Sequence, residues 1–170
     1  MSNSLPRVLV LAASCVVADE LRAQVVTQFP VPTAQSRPYT IVAGADGNLW
    51  FTESNGNKLG RITPAGVITE FPVPTAASGP YGIAISRNGD VWFTERFGNK
   101  IGRFAPSTGT FREFRIPTPF AQPWEIALAP DGNLWFTEED VNQIGRITPT
   151  GGIREFVPPS GSFPTGITAG

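Results

Sequence analysis

This sequence predicts an all-β chain folded as a β-propeller of four-stranded antiparallel blades, and three repeated phrases carry that prediction. DGNLWFTE (46–53), NGDVWFTE (88–95) and DGNLWFTE (131–138) place Trp50, Trp92 and Trp135 at intervals of 42 and then 43 residues. Each is answered downstream by KLGRITP, KIGRFAP or QIGRITP, starting at Lys58, Lys100 and Gln143. Glu70-Phe71, Glu113-Phe114 and Glu155-Phe156 close the units, and Gln28-Phe29 is an earlier, isolated copy. Short strands between turns at this period are the mark of blades, each of which buries its faces only against its neighbours.

From the N-terminus, Arg7 precedes the apolar run Val8 to Ala18 (VLVLAASCVVA). That run is too short to span a bilayer but has the length of a signal-peptide core, so residues 1–24 read as a signal peptide and the protein as exported. Cleavage after Val16-Val17-Ala18 or after Leu21-Arg22-Ala23 fits; a frayed helix left on a cytosolic protein is the plainer alternative. Cys15 follows LAAS and suggests a lipid anchor only weakly, because Ala12 stands where leucine is usual. It is the single cysteine, so no intrachain disulfide forms.

Residues 25–32 (VVTQFPVP) read as an outer strand with no inner strands before it. Blades follow at about 37–74, 79–117 and 122–159, and an inner strand opens a fourth at 163–170. The middle unit sets the strand order. Tyr81 to Ser86 is an apolar strand, Arg87-Asn88-Gly89 a hairpin turn, and Asp90 to Thr94 a second strand. Phe97-Gly98-Asn99 is a loop, Lys100 to Phe104 a third strand, Pro106 to Gly109 a turn, and Thr110 to Ile116 a fourth. Adjacent Trp and Phe on the second strand point to opposite faces, so every blade offers a large apolar side chain to both neighbours. Three blades, an orphan outer strand and an orphan inner strand make an incomplete ring. Its flanks are expected to expose side chains such as Trp50 and Trp135, and the chain to self-associate through its open edges.

Composition sets boundaries. Thirteen basic and fourteen acidic residues leave a net charge of -1, which gives no electrostatic reason to expect a nucleic-acid partner. Seventeen prolines and eighteen glycines with 11% aromatics fit a turn-dense fold with a real core rather than disorder. No phosphate-cradling G-x-x-x-x-G-K motif occurs, and the absence of histidine excludes a Ser-His-Asp triad and any Cys/His zinc spacing. A carboxylate pair for glycoside hydrolysis stays formally open, with nothing to single out two residues.

DGNLWFTE, N-K-[IL]-G-R-[IF], ITEFPVPT and P-Y-G-I together resemble the streptogramin B lyases, also called virginiamycin B lyases, over essentially all of Gln28 to Gly170. The resemblance implies the N-terminal portion of a seven-bladed propeller. It also implies a ring-opening elimination in which a base removes the proton alpha to a carbonyl, Mg2+ steadies the developing negative charge, and the ester C–O bond of a cyclic depsipeptide breaks. In that family histidine directly follows the proline of P-x-G-I in late blades. The matching positions here are Tyr39, Tyr81, Trp124 and Thr165, so no catalytic residue and no magnesium ligand carries over. Tyr39 and Tyr81 match early-blade tyrosines that line the family's substrate face, with inner-strand packing as the alternative role for both. With Trp124 they are the candidate contacts for a small-molecule or peptide ligand, on the same surface as Glu53, Glu95 and Glu138.

Those glutamates recur in every blade, as do Arg61, Arg103 and Arg146, and repetition points to scaffold ion pairs or loop hydrogen bonds rather than chemistry. Departures from the repeat point more to function: Arg96-Phe97, Trp124-Glu125 and the acidic run Glu138-Glu139-Asp140. That run offers oxygen ligands for a hard cation, although a solvated loop is the plainer reading. Two functions stay open: the N-terminal part of an exported lyase-like enzyme, itself inactive, and a noncatalytic binding propeller for peptide, glycan or cell-envelope material.

Overall fold

The computed structural model describes residues 26–159, 161 and 163–169; the reading of residues 1–24 as a signal peptide lies outside them. Among the described residues twelve strands form three four-stranded sheets. Blade 1 is β1 (Pro38–Ala43), β2 (Leu49–Glu53), β3 (Lys58–Ile62) and β4 (Ile68–Pro72). Blade 2 is β5 (Pro80–Ile85), β6 (Val91–Glu95), β7 (Lys100–Ala105) and β8 (Thr110–Arg115). Blade 3 is β9 (Pro123–Leu128), β10 (Leu134–Glu138), β11 (Gln143–Ile147) and β12 (Ile153–Phe156). Every neighbour in a sheet is antiparallel and sequential, the meander expected of a propeller blade.

Alternation along the second strand assigns one face to each neighbour. Trp50 packs with Phe93 and Phe104 of blade 2, and Trp92 with Leu134 and Phe136 of blade 3, so the tryptophans face the following blade. Phe51, Phe93 and Phe136 face the other way, and each lies flat on a glycine of the third strand. A Cβ added to Gly102 would stand 2.1 Å from the Phe93 ring, and Gly60 and Gly145 meet Phe51 and Phe136 in the same way. The glycine of K-[LI]-G-R is therefore a packing requirement. Trp50 itself is 1% exposed, which corrects the expectation that it lies on a free flank. Because the tryptophan faces forward, blade 1 opens backward with Phe29, Tyr39 and Ile41, around a cavity of about 280 Å3 also lined by Phe51 and Ile62.

The inner strands are locked by a threonine. Thr94 Oγ1 accepts from Gly82 N (2.8 Å) within blade 2 and donates to Trp124 O (2.8 Å) of blade 3. Thr52 does the same between Thr40 N and Tyr81 O, and Thr137 between Glu125 N and Thr165 O. In each inner pair the register shifts opposite this threonine, and the hydroxyl takes up the amide that the bulge releases. Gly82 allows the close approach, since a Cβ there would meet Trp124 O at 2.6 Å.

The predicted outer strand at 25–32 and inner strand at 163–170 form no sheet pairing among the described residues, because a strand needs a partner to hydrogen-bond. Both segments nonetheless dock as the repeat requires. The Phe29 ring covers Gly66 as Phe114 covers Gly151, and Thr165 O receives the Thr137 hydroxyl.

Candidate functional site

The inner strands β1, β5 and β9 begin on the face where the second strands end, since Pro38, Pro80 and Pro123 pair with Glu53, Glu95 and Glu138. Tyr39, Tyr81 and Trp124 therefore come from three blades to one place. Ring centroids are 4.1 Å apart for Tyr39 and Tyr81, 5.0 Å for Tyr81 and Trp124, and 5.9 Å for Tyr39 and Trp124. Tyr39 is 40% exposed, Trp124 is half-buried, and Tyr81, at 4%, supports the other two from beneath. Such a cluster presents apolar ring faces with polar tips, the surface that suits an amphipathic ligand.

Charged groups from the departures in the repeat complete the cluster. Arg96 lies with Cζ 4.0 Å from the Trp124 ring centre and 5.2 Å from that of Tyr81. Its Nη2 donates to Glu139 (3.0 Å) and its Nε to Gln122 (3.1 Å). Gln122 Nε2 donates in turn to Asp140. Beside them the Glu125 carboxyl is pushed up by burial, partly offset by a hydrogen bond from the Thr40 hydroxyl. Burial, then the charges of Tyr81 and Glu125, raise the Tyr39 phenol.

The acidic run does not form a cation site. Glu138 is fully buried, Glu139 is bound to Arg96, and Asp140 is bound to Gln122, so the three carboxylates diverge. Among the described residues no three histidine, cysteine, aspartate or glutamate side chains converge on a metal position. These residues do not fit a magnesium ion.

Of the ion pairs expected for the two repeated sets, one forms among the described residues, at Arg103, and the glutamates and arginines do not pair with each other. Register explains it. Arg61 lies opposite Trp50 and Lys58 opposite Glu53, so arginine and glutamate occupy opposite faces of the sheet. Arg61 and Arg146 stack over Trp50 and Trp135, and among the described residues only Arg103 finds a carboxylate, Asp90, because NGD replaces DGN in blade 2. The carboxylates of Glu53, Glu95 and Glu138 are buried, and their oxygens make no hydrogen bond among the described residues. Burial first, then the charge of Glu113, pushes Glu95 up to about 7. Burial and then Glu155 push Glu138 to about 8. The nearby Ser78 hydroxyl, which pulls Glu95 the other way, is engaged with Asn57 Oδ1 (3.0 Å).

The sequence reading missed a latch that joins successive blades. Thr75, in the linker before blade 2, gives its N–H and hydroxyl to Glu113 (3.0 and 2.8 Å), and Lys100 Nζ bonds both Thr75 Oγ1 (2.5 Å) and Glu113 (2.8 Å). Thr33, Glu70 and Lys58 repeat the arrangement in blade 1. In blade 3 Gln143 replaces the lysine; Thr118 N still donates to Glu155 (3.0 Å), but its hydroxyl turns to Gln143. The recurrence of Pro-Thr at 32–33, 74–75 and 117–118 was the available signal.

Comparison with known proteins decides the lineage. The model of the virginiamycin B lyase family matches residues 12–170. The chain belongs to the virginiamycin B lyase family. Virginiamycin B lyase from Staphylococcus aureus is 46% identical and superposes with a TM-score of 0.80 over 84% of this chain and 48% of that one. A streptogramin B lyase structure is 41% identical, with a TM-score of 0.82 over 85% and 48%. A catalytically inactive form of the S. aureus lyase, solved with quinupristin, is 45% identical, with a TM-score of 0.78 over 81% and 47%. The virginiamycin B lyase of Bacillus licheniformis is 46% identical over 40 residues, 24% of this chain and 14% of that protein. The chain thus spans about half the length of the solved lyases it matches. A gluconolactonase-like structure at 15% identity and a TM-score of 0.59 shares the propeller fold alone.

Proposed function

We propose that this chain is the N-terminal, ligand-facing part of an exported streptogramin B lyase-like propeller, in which Tyr39 and Trp124, backed by the buried Tyr81, hold a cyclic depsipeptide against the inner-strand face. The convergence of these three rings from three blades carries the reading. The reaction is an elimination: a base takes the proton alpha to a carbonyl and the ester C–O bond breaks. That leaves a carboxylate and an alkene, with no water consumed. The base and the Mg2+ ligands would be supplied by sequence beyond this chain, which contains no histidine. What these residues do is bind and orient. The rings cover an apolar face of the ligand, and Tyr81, buried beneath, keeps them from collapsing inward.

The test is liquid chromatography with tandem mass spectrometry of quinupristin incubated with Mg2+ and the complete protein, since retention and fragmentation separate an opened ring from the intact one. Ring opening with unchanged mass is expected. A product heavier by one water would mean hydrolysis, and an unchanged antibiotic would remove the enzymatic reading. The 170-residue chain assayed alone should be silent, and turnover by it would overturn the assignment of catalysis to other sequence.

The absence of histidine also favours the second reading, a noncatalytic propeller that binds peptide, glycan or cell-envelope ligands through the same aromatic face. Saturable binding by the complete protein without ring opening would support it. Loss of turnover on changing a late-blade histidine would exclude it.

A further inference from the structure

The position after the repeated glutamate is Ser54 in blade 1, Arg96 in blade 2 and Glu139 in blade 3. A propeller built only of repeats has no reason to vary it. The two charged versions meet across the blade 2–blade 3 boundary at the one place where the aromatic cluster also lies.

The guanidinium is held in a defined seat. Its Cζ lies 4.0 Å from the centre of the Trp124 ring, Glu139 binds Nη2, and Gln122, itself bound to Asp140, accepts from Nε. These contacts use two of the five N–H donors of an arginine. Nη1 makes no hydrogen bond among the described residues, although the side chain is only 19% exposed. A guanidinium fixed on an aromatic platform, partly desolvated and with donors to spare, is ready for a planar acceptor such as an amide or ester carbonyl. A tie between blades would need the Glu139 contact alone. It would not require the stacking on Trp124, the approach to Tyr81 or the support through Gln122.

We propose that Arg96 is a specificity-determining contact of the ligand face: its free N–H groups donate to a backbone or ester carbonyl of the bound ring, while Glu139 and Gln122 set the angle of the guanidinium. This inference rests on the depsipeptide-binding reading above. It adds a polar requirement to an otherwise apolar face, so that a ligand of equal size without a carbonyl at that point would be rejected.

The experiment titrates quinupristin, without Mg2+ so that no turnover intervenes, into the complete protein and follows quenching of tryptophan fluorescence, with thermal melting recorded for every variant. Wild type should bind saturably. Arg96→Ala should weaken binding roughly ten- to a hundredfold, the value of a hydrogen bond to a charged group. Arg96→Lys should fail to rescue, because an ammonium has neither the plane nor the fork. It also keeps the test open if the alanine variant melts early. Glu139→Gln retains the guanidinium but loosens its seat, and should show an intermediate loss. Arg96→Ala or Arg96→Lys binding as tightly as wild type would overturn the proposal and leave the aromatic reading standing. Wild type that does not bind at all would overturn both.

Discussion

The Thr94 hydroxyl reaches across a blade boundary to the main-chain carbonyl of Trp124, at 2.8 Å, while accepting the Gly82 amide of its own blade at the same distance. Secondary structure alone leaves both backbone groups without partners, because the inner pairing is shifted at that point. One side chain closes the bulge and registers the neighbouring blade.

Thr94→Val keeps the shape and removes the hydroxyl, stranding a buried N–H and a C=O. The expected cost is about 1–3 kcal/mol, read from the shift of the urea midpoint. A midpoint within error of wild type would show that the threonine is replaceable there.

Gly102→Ala places a methyl group inside the Phe93 ring, at 2.1 Å. Overpacking of this kind costs about 1–3 kcal/mol. Pairing it with Phe93→Leu, which shortens the intruding ring, should recover part of the loss. A pair no more stable than Gly102→Ala alone would mean that the strain lies in the backbone instead.

Stability should fall as the pH rises. Glu95 and Glu138 have folded pKa values of about 7 and about 8 against an ordinary 4.5, so between those limits the folded state binds more protons than the unfolded one. Their contribution is fully present below about pH 4.5 and is lost as the pH passes through 7 and 8. For Glu95 the change is on the order of 3 kcal/mol. Glu113 is held low, burial notwithstanding, by Lys100 and Thr75, and stays ionised throughout this window. Melting temperatures measured from pH 5 to 9 should show the decline. Glu138→Gln should flatten it, and Gln143→Lys, which restores the cation that blades 1 and 2 possess, should shrink the part due to Glu138. A flat wild-type profile would mean that water reaches these carboxylates.

The backward-facing flank of blade 1, with Ile41 at 57% and Phe29 at 44% exposed, is expected to drive association. Sedimentation coefficients should rise with concentration, and Ile41→Lys should reduce that rise. A single sharp monomer boundary at every concentration would show that the flank is tolerated as it stands.

Repetition made the fold legible. Strand order, hairpin turns and the opposed Trp and Phe faces all follow from period-two alternation inside a unit of 42 or 43 residues. The placing of Tyr39, Tyr81 and Trp124 on one face followed from the same pattern, because each opens an inner strand. The partners of charged side chains were less legible. Glu53 and Arg61 are eight residues apart and opposite in charge, yet the register puts them on different faces; only the pairing of Glu53 with Lys58 shows this.

By itself, then, the sequence determined the blade, its repeat and the strand end on which the candidate rings sit, since those depend on local alternation and turn chemistry. Tertiary structure alone decided that Arg96 rests on Trp124, that Thr75 latches Glu113, and that three glutamates are buried without partners. Each of these depends on how residues of different blades or different faces come together, and a local pattern carries no record of which surfaces meet when the sheets close on one another.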